Sequence, residues 1–425
     1  VEKPLHRLAR IVVGLVAVWT TLAPPCLADP QEAILRRQEA ALDQVGEVSP
    51  GAAPQVPLDL KTNYRSLFGG ALWLKGGGFL QVDLVGDHGA RSRPFSFAPS
   101  RFQSSSATES DTSGYLMLGP DARMGLRRTR LYLDAYSPYP RILQGARAYG
   151  EIDFSGKDGQ LNVRHLYLAL PYLVLGRTNS AFKDPGAEPE TLDPGGPNAK
   201  LGLRQQGARL TFPLGRFSLA LGLEDPGPGI SPQGTDLEDD GLKRRPDLTA
   251  HLRHDTDWGH LQLAFVRREL VSIDPSFNEQ NFAGWGLGLS GRVYTQAKNN
   301  LSFELGGGPG LGRYINDLAG TSSELGLDQS GRLVTQTAVG GYLAYQHWLD
   351  DKTRLNAAVS GVGVDLASGE LDDSYQQGYK AALNVVRDVS PNMRVGLELQ
   401  HGLRVSKDGD QLSGSRLGAM FRYSF

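Results

Sequence analysis

Arginines recurring at alternate positions are the feature of this 425-residue chain most able to do chemistry. Arg128 and Arg130 are followed by Arg147 and Arg164, and later by Arg209, Arg354, Arg394 and Arg416. Each lies in a run of alternating polar and apolar residues. A period of two places such a set on one face of a β-strand. Guanidinium groups stay charged and present a planar fork to oxyanions, so the chemistry is anion recognition. Carboxylates interleave with them at Asp134, Glu151 and Asp153. Two arrangements stay open: a net basic wall, or arginines that pair with these acids and merely pack. A second charged set, Asp184, Glu188, Glu190 and Asp193, lies in a Pro- and Gly-containing segment from Phe182 to Lys200. We read it as a constriction loop folded inward, its carboxylates facing the arginines so that a transverse field orients charged solutes. The alternative is an outward surface loop.

Other chemistry finds little support. There is no Gly-x-Ser-x-Gly, no His-Glu-x-x-His and no pair of Cys or His at metal spacing. Ser290 and His347 are present, but nothing in the sequence joins them as a hydrolase pair. Asp236 to Gly241 resembles the opening of a calcium loop. It lacks flanking helical patterns and runs into Lys243-Arg244-Arg245, so we read a solvated acidic loop. Gly306 to Gly312 lacks the Lys-Ser/Thr of a phosphate loop. No enzyme activity, cofactor or metal is therefore expected. A net charge of -2 argues against nucleic acid as partner.

The elements that must position the arginines begin near Leu72, where the period becomes two. Sixteen strand candidates start near Leu72, Ala122, Ile142, Gln160, Tyr172, Leu201, Arg216, Pro246, Trp258, Phe282, Asn299, Gln336, Lys352, Tyr375, Pro391 and Ser413. Short connections such as Pro213-Leu214-Gly215, Asp255-Thr256-Asp257 and Leu349-Asp350-Asp351 alternate with long ones such as 86–121, 182–200 and 309–335. Turns at one end and loops at the other predict an all-β protein, a sixteen-stranded antiparallel transmembrane β-barrel. The 53 glycines and a mean hydropathy of -0.30 suit a barrel, where only every second residue meets lipid. The final strand puts Leu417, Ala419, Phe421, Tyr423 and Phe425 on one face, and Arg416 and Arg422 on the other. Arginine on the lipid face at mid-membrane costs about 2–4 kcal/mol, so the polar parity is assigned to the lumen. Basic residues outnumber acidic ones there. His165 and Arg204 fall on the wrong parity, which points to a bulge or a shifted register.

Residues 1–28 read as an export signal: His6, Arg7 and Arg10, then a short apolar run, then Cys26-Leu27-Ala28. Cleavage there removes the single cysteine, Cys26, and leaves no thiol chemistry. Residues 29–48 carry apolar positions at helical spacing, Ile34, Ala41 and Val48 among them. They form either a frayed tail or a short periplasmic coiled coil. A linker follows over 49–69, and the barrel occupies 70–425. The expected location is the Gram-negative outer membrane, in contact with its lipid and delivered by the barrel-assembly machinery through Phe425.

Several stretches together resemble the DcaP-like outer-membrane porins. They are Leu175 to Ser180, Ala187 to Asp193 with Gly195, Pro197 and Asn198, Arg204-Gln205, and Glu224-Asp225-Pro226. Gly308 to Asp317, Tyr342, Tyr345 to Trp348 and Gly396 to Gly402 continue the series in order. The resemblance implies a homotrimer with a periplasmic coiled coil and a preference for small dicarboxylates. The expected function is passive diffusion of small hydrophilic solutes, anions favoured, through sites weak enough to release them. The alternative is a plugged barrel acting in adhesion or scaffolding.

Overall fold

The computed structural model describes residues 64–92, 95–104, 115–119, 121–138, 145–228, 245–273, 279–296, 298–321 and 323–425. The export signal, the helical segment, most of the linker and the Asp236 to Gly241 loop lie outside them. Sixteen strands close into one antiparallel barrel. They are β1 (Leu72–Gly89), β2 (Arg130–Ser137), β3 (Ala146–Asp153), β4 (Asn162–Ala169), β5 (Leu173–Asn179) and β6 (Arg204–Leu214). Next come β7 (Phe217–Glu224), β8 (Asp247–Thr256), β9 (Gly259–Ile273), β10 (Glu279–Tyr294) and β11 (Asn300–Pro309). The last are β12 (Thr337–Trp348), β13 (Thr353–Asp365), β14 (Tyr375–Ser390), β15 (Met393–Ser406) and β16 (Gln411–Ser424). Closure is β1 on β16, in register from Phe79 opposite Ser424 to Gly89 opposite Gly414. Closing the sheet leaves no unpaired edge, the condition for strands to cross a bilayer.

The outer surface follows the alternation. Leu131, Leu133, Leu166, Leu168, Leu221, Leu263, Leu287, Leu397, Leu399 and Leu417 are exposed. A continuous apolar band of this kind is unstable in water and matched to lipid. Phe212, Phe217, Trp258, Tyr345, Tyr423 and Phe425 are also exposed. They lie toward the short-turn end, as an interfacial aromatic girdle does.

Two expectations need correction, and one left open between two readings is decided. The second strand is interrupted: Ala122–Gly125 pairs with the upper part of β1, and β2 resumes at Arg130. A turn at Leu126–Thr129 and the Thr129 hydroxyl, which receives the Gln81 N–H at 3.1 Å, fill the break. The sixth strand starts at Arg204 and not at Leu201, because Leu201 bridges to Ile315 inside the barrel. The parity fault at His165 is a bulge. Glu151 faces His165 and Ile152 faces Val163, which leaves Arg164 as the extra residue and turns Arg164 and His165 to the same side.

The interior is not polar throughout. Phe182 and Leu201 from the segment after β5, and Leu311, Tyr314, Ile315 and Leu318 from the segment after β11, are buried together. They pack on Ala264 and Val266 of β9, Ala338 of β12, and Val362 and Val364 of β13. Each such large side chain contributes about 1.5–3 kcal/mol on burial. One half of the barrel therefore has a soluble-protein core inside it.

Candidate functional site

Residues 180–203 leave the wall and return at one point. Asn179 and Arg204 are cross-strand partners, and the Ser180 N–H donates to the Leu203 carbonyl at 2.9 Å. Gly202 makes the crossing possible: its φ is +80°, and a Cβ there would lie 2.5 Å from the Lys183 Cβ. Between these ends the segment follows the inner wall from β7 to β15. Ala181 N–H donates to Glu224 at 2.7 Å. Asp184, fully buried, accepts from Arg253 at 3.1 Å, His260 at 2.9 Å and the Ser290 hydroxyl at 2.7 Å. The Tyr342 hydroxyl donates to the Ala187 carbonyl at 3.0 Å. Glu190 accepts from Arg354 at 2.7 Å and Arg394 at 3.3 Å. Asp193 pairs with Lys380, and the Leu201 N–H donates to Glu304 at 2.9 Å.

The four loop acids thus sit inside, but they do not confront the arginines of β2–β4. Asp184 is engaged on β8 to β10, Glu190 on β13 and β15 and Asp193 on β14, and Glu188 pairs with Lys183 at 2.8 Å. Their electrostatics fit this. Burial alone would raise the Asp184 carboxyl, but His260 and Arg253 outweigh it and hold the group below the ordinary carboxylate range. Burial likewise opposes Glu190, and Arg354 and Arg394 bring it below that range. Glu188 is lowered by Lys183 and Lys200 against the same penalty.

The eight arginines divide. Arg354 is 1% exposed between Glu190 and Asp388, and Arg416 is 4% exposed on Asp87 at 2.6 Å. Arg209 is buried beneath the Asn179 carbonyl at 3.2 Å. Arg147 is chelated by Asp134 at 2.7 Å, and Arg164 by Glu151 and Asp153, each at 2.7 Å. Arg128 reaches Asp83 only at 3.5 Å and holds the Leu192 carbonyl. Arg130 reaches Glu151 only at 3.4 Å and is 29% exposed. Arg394 spans Asp388 and Glu190 and stays 21% exposed. A residue outside this set joins them. Arg422 lies within electrostatic reach of Arg128, Arg130 and Arg394. Its inward parity was readable, but its place in the cluster depends on barrel closure.

Between the inner segment and the wall of β1, β15 and β16 lies a small cavity of about 40 Å³, lined among others by Asp83, Arg128, Leu192, Pro194 and Gln400. Of the incompletely neutralised arginines, Arg128 lines this cavity, while the apolar core lies against β9, β12 and β13. Ser290 gives its hydroxyl to Asp184, and His347 stacks on Tyr345 at 6.2 Å. No serine–histidine nucleophile pair joins these two residues.

A closed sixteen-stranded barrel with an inward-folded segment and a lipid-matched exterior defines the class: the fold is that of outer-membrane porins. The DcaP outer-membrane channel of Acinetobacter baumannii superposes on it with a TM-score of 0.71 at 18% identity, covering 85% of this chain and 100% of that one. The anion-selective porin of Comamonas acidovorans gives 0.51 at 12% identity, over 83% and 100%. An OmpT loop-deletion mutant, an outer-membrane protein of Vibrio cholerae, gives 0.53 at 14% identity, over 84% and 100%. At these identities the likeness is one of fold. No family model and no curated protein sequence matches the chain.

Proposed function

We propose that this protein is an outer-membrane channel for passive diffusion of small hydrophilic solutes, with anions preferred and no chemical step. The observation that carries the reading is the arginine cluster: Arg128, Arg130 and Arg394 all lie within electrostatic reach of Arg422, and Arg128 lines the cavity beside the inner segment. Net positive potential in a narrow low-dielectric passage concentrates anions, while partial pairing to Asp83, Glu151 and Asp388 keeps binding weak enough for release. Arg164 and the inner acids shape this passage; Arg147, Arg209, Arg354 and Arg416 act chiefly by holding its walls. Small dicarboxylates are the preferred class that the DcaP-like resemblance suggests, and a homotrimer is the assembly. Export through residues 1–28 and insertion through Phe425 complete the proposal. A salt-gradient reversal-potential measurement in planar bilayers tests it: the expected sign is that of chloride over potassium, and a cation-selective pore refutes it.

A plugged barrel retains one observation in its favour, the apolar core inside β9, β12 and β13. The two readings separate in the same apparatus, since a plugged barrel gives no conductance steps.

A further inference from the structure

Arg394 and Arg422 are directly opposite each other on β15 and β16, both inward. Like charges in this relation repel. Arg394 is compensated by Asp388 and Glu190. Arg422 is not: among the described residues it has no carboxylate at ion-pair distance, and its Nε donates to the Gln81 side-chain oxygen at 2.8 Å. What holds it is an aromatic ring. Its guanidinium lies 4.2 Å from the Phe79 centroid. The same ring carries a second guanidinium, Arg130, at 5.5 Å. Phe79 faces Arg130 directly across β1 and β2 and is the diagonal neighbour of Arg422 on β16. The Arg130 Nε is buried without a hydrogen-bond acceptor.

We propose that Phe79 is a specificity-determining positioning residue: its π-face holds Arg130 and Arg422 side by side as a two-guanidinium site for dianions in the lumen. The inference rests on the anion-channel reading and adds what sets its selectivity among anions. A ring quadrupole attracts both cations without neutralising either, unlike a carboxylate. Two forks held this way offer one to each carboxylate of a dianion, whereas a monocarboxylate occupies one. Aliphatic side chains of similar size fill the same space but exert no such attraction, and the two guanidiniums are then free to separate.

The test is block of chloride current by succinate and by acetate, with wild type, Phe79→Leu, Phe79→Tyr and Arg422→Lys in planar bilayers. In wild type, succinate blocks at a lower concentration than acetate. Phe79→Leu raises the half-blocking succinate concentration about fivefold, the factor set by a cation–π contact of about 1 kcal/mol. It leaves the acetate value less changed. Phe79→Tyr keeps a π-face and restores succinate block to within about twofold of wild type. Arg422→Lys keeps the charge but loses the flat fork, and weakens succinate block by at least about threefold. Equal succinate block in wild type and Phe79→Leu overturns the inference while the channel stays anion-selective. If Phe79→Leu does not insert, undiminished block in Arg422→Lys overturns it instead. A cation-selective wild type fails the underlying functional reading and is distinguished by reversal potential alone.

Discussion

The Glu398 carboxylate on β15 receives the backbone N–H of Asp193 at 2.8 Å and, through its other oxygen, that of Leu192 at 2.9 Å. Two consecutive peptide groups of the inner segment are thus pinned by one buried acid, which Asn384 also supports at 2.9 Å. Glu398→Gln keeps the shape but turns a donor toward a donor. Hydrogen bonds to charged groups contribute about 1.5–3 kcal/mol, so at least about a tenfold rise in local opening is expected. Hydrogen exchange over 188–196 should rise while exchange in β15 and β16 stays slow. Unchanged protection of that stretch would show that the segment is held by other contacts.

Charge and burial separate the arginines into two experimental groups. Arg422→Ala removes one weakly compensated charge from the passage. At about 8 Å in water such a charge attracts a passing anion and repels a passing cation by about 0.5 kcal/mol each, so the anion-to-cation permeability ratio should fall roughly fivefold. Arg416→Ala does the reverse. Arg416 and Asp87 form a buried pair, which Arg123 joins at 2.7 Å. Removing one partner of a buried pair costs about 3–5 kcal/mol, so this variant should fold poorly, with the selectivity of the surviving channels little changed. Equal effects of both variants on reversal potential would contradict this division.

The pH response follows from the depressed acids. Asp184, Glu188 and Glu190 lie below the ordinary carboxylate range in the folded chain. Their contribution to stability is fully present above the unfolded value, near 4, and is lost as pH falls through the lower folded values. Single-channel current should therefore stay quiet from neutrality down to about pH 4, with flicker from a loosened segment only below that. Loosening between pH 6 and 5 would mean that a different group holds the segment.

Strand number and parity were legible because lipid imposes the period of two: a residue such as Leu417 or Leu399 has no alternative face. Even the fault at His165 was visible as a break in that period, and the extra residue proves to be Arg164. The interior was much less legible. Parity divides residues into inner and outer, but inner was equated with wet. Val362 and Val364 on β13 are inward and buried, and what covers them is Leu311 and Ile315, some fifty residues earlier in the chain. Likewise the inner acids lie inside the barrel with partners spread round its wall: Glu190 meets Arg354 and Arg394, whereas Asp184 meets Arg253. Asp193 meets Lys380 across 187 residues, a pairing that no local pattern encodes.

Closure of the barrel depends on a position with no side chain. Gly78 donates its N–H to the Phe425 carbonyl at 3.1 Å and accepts the Phe425 N–H at 3.0 Å. On its other side, a Cβ would lie 2.2 Å from the Arg130 carbonyl oxygen. Real Cβ atoms do not approach backbone so closely, so Gly78→Ala must push β1 away from β2 or from the terminal residue. Overpacking of this kind costs typically about 1–3 kcal/mol, and rigid backbone on both sides favours the upper end. Gly86 is the internal control. It lies on the same strand at the same parity, and a Cβ there would find its nearest neighbour 3.9 Å away, at the Asp121 carbonyl oxygen. Gly86→Ala should refold like wild type. In unheated detergent gels, where a closed barrel migrates faster than its unfolded chain, Gly78→Ala should lose much of the fast band and Gly86→Ala should keep it. Identical behaviour of the two would mean that the seam yields without cost, and that Phe425 is not fixed in register by Gly78.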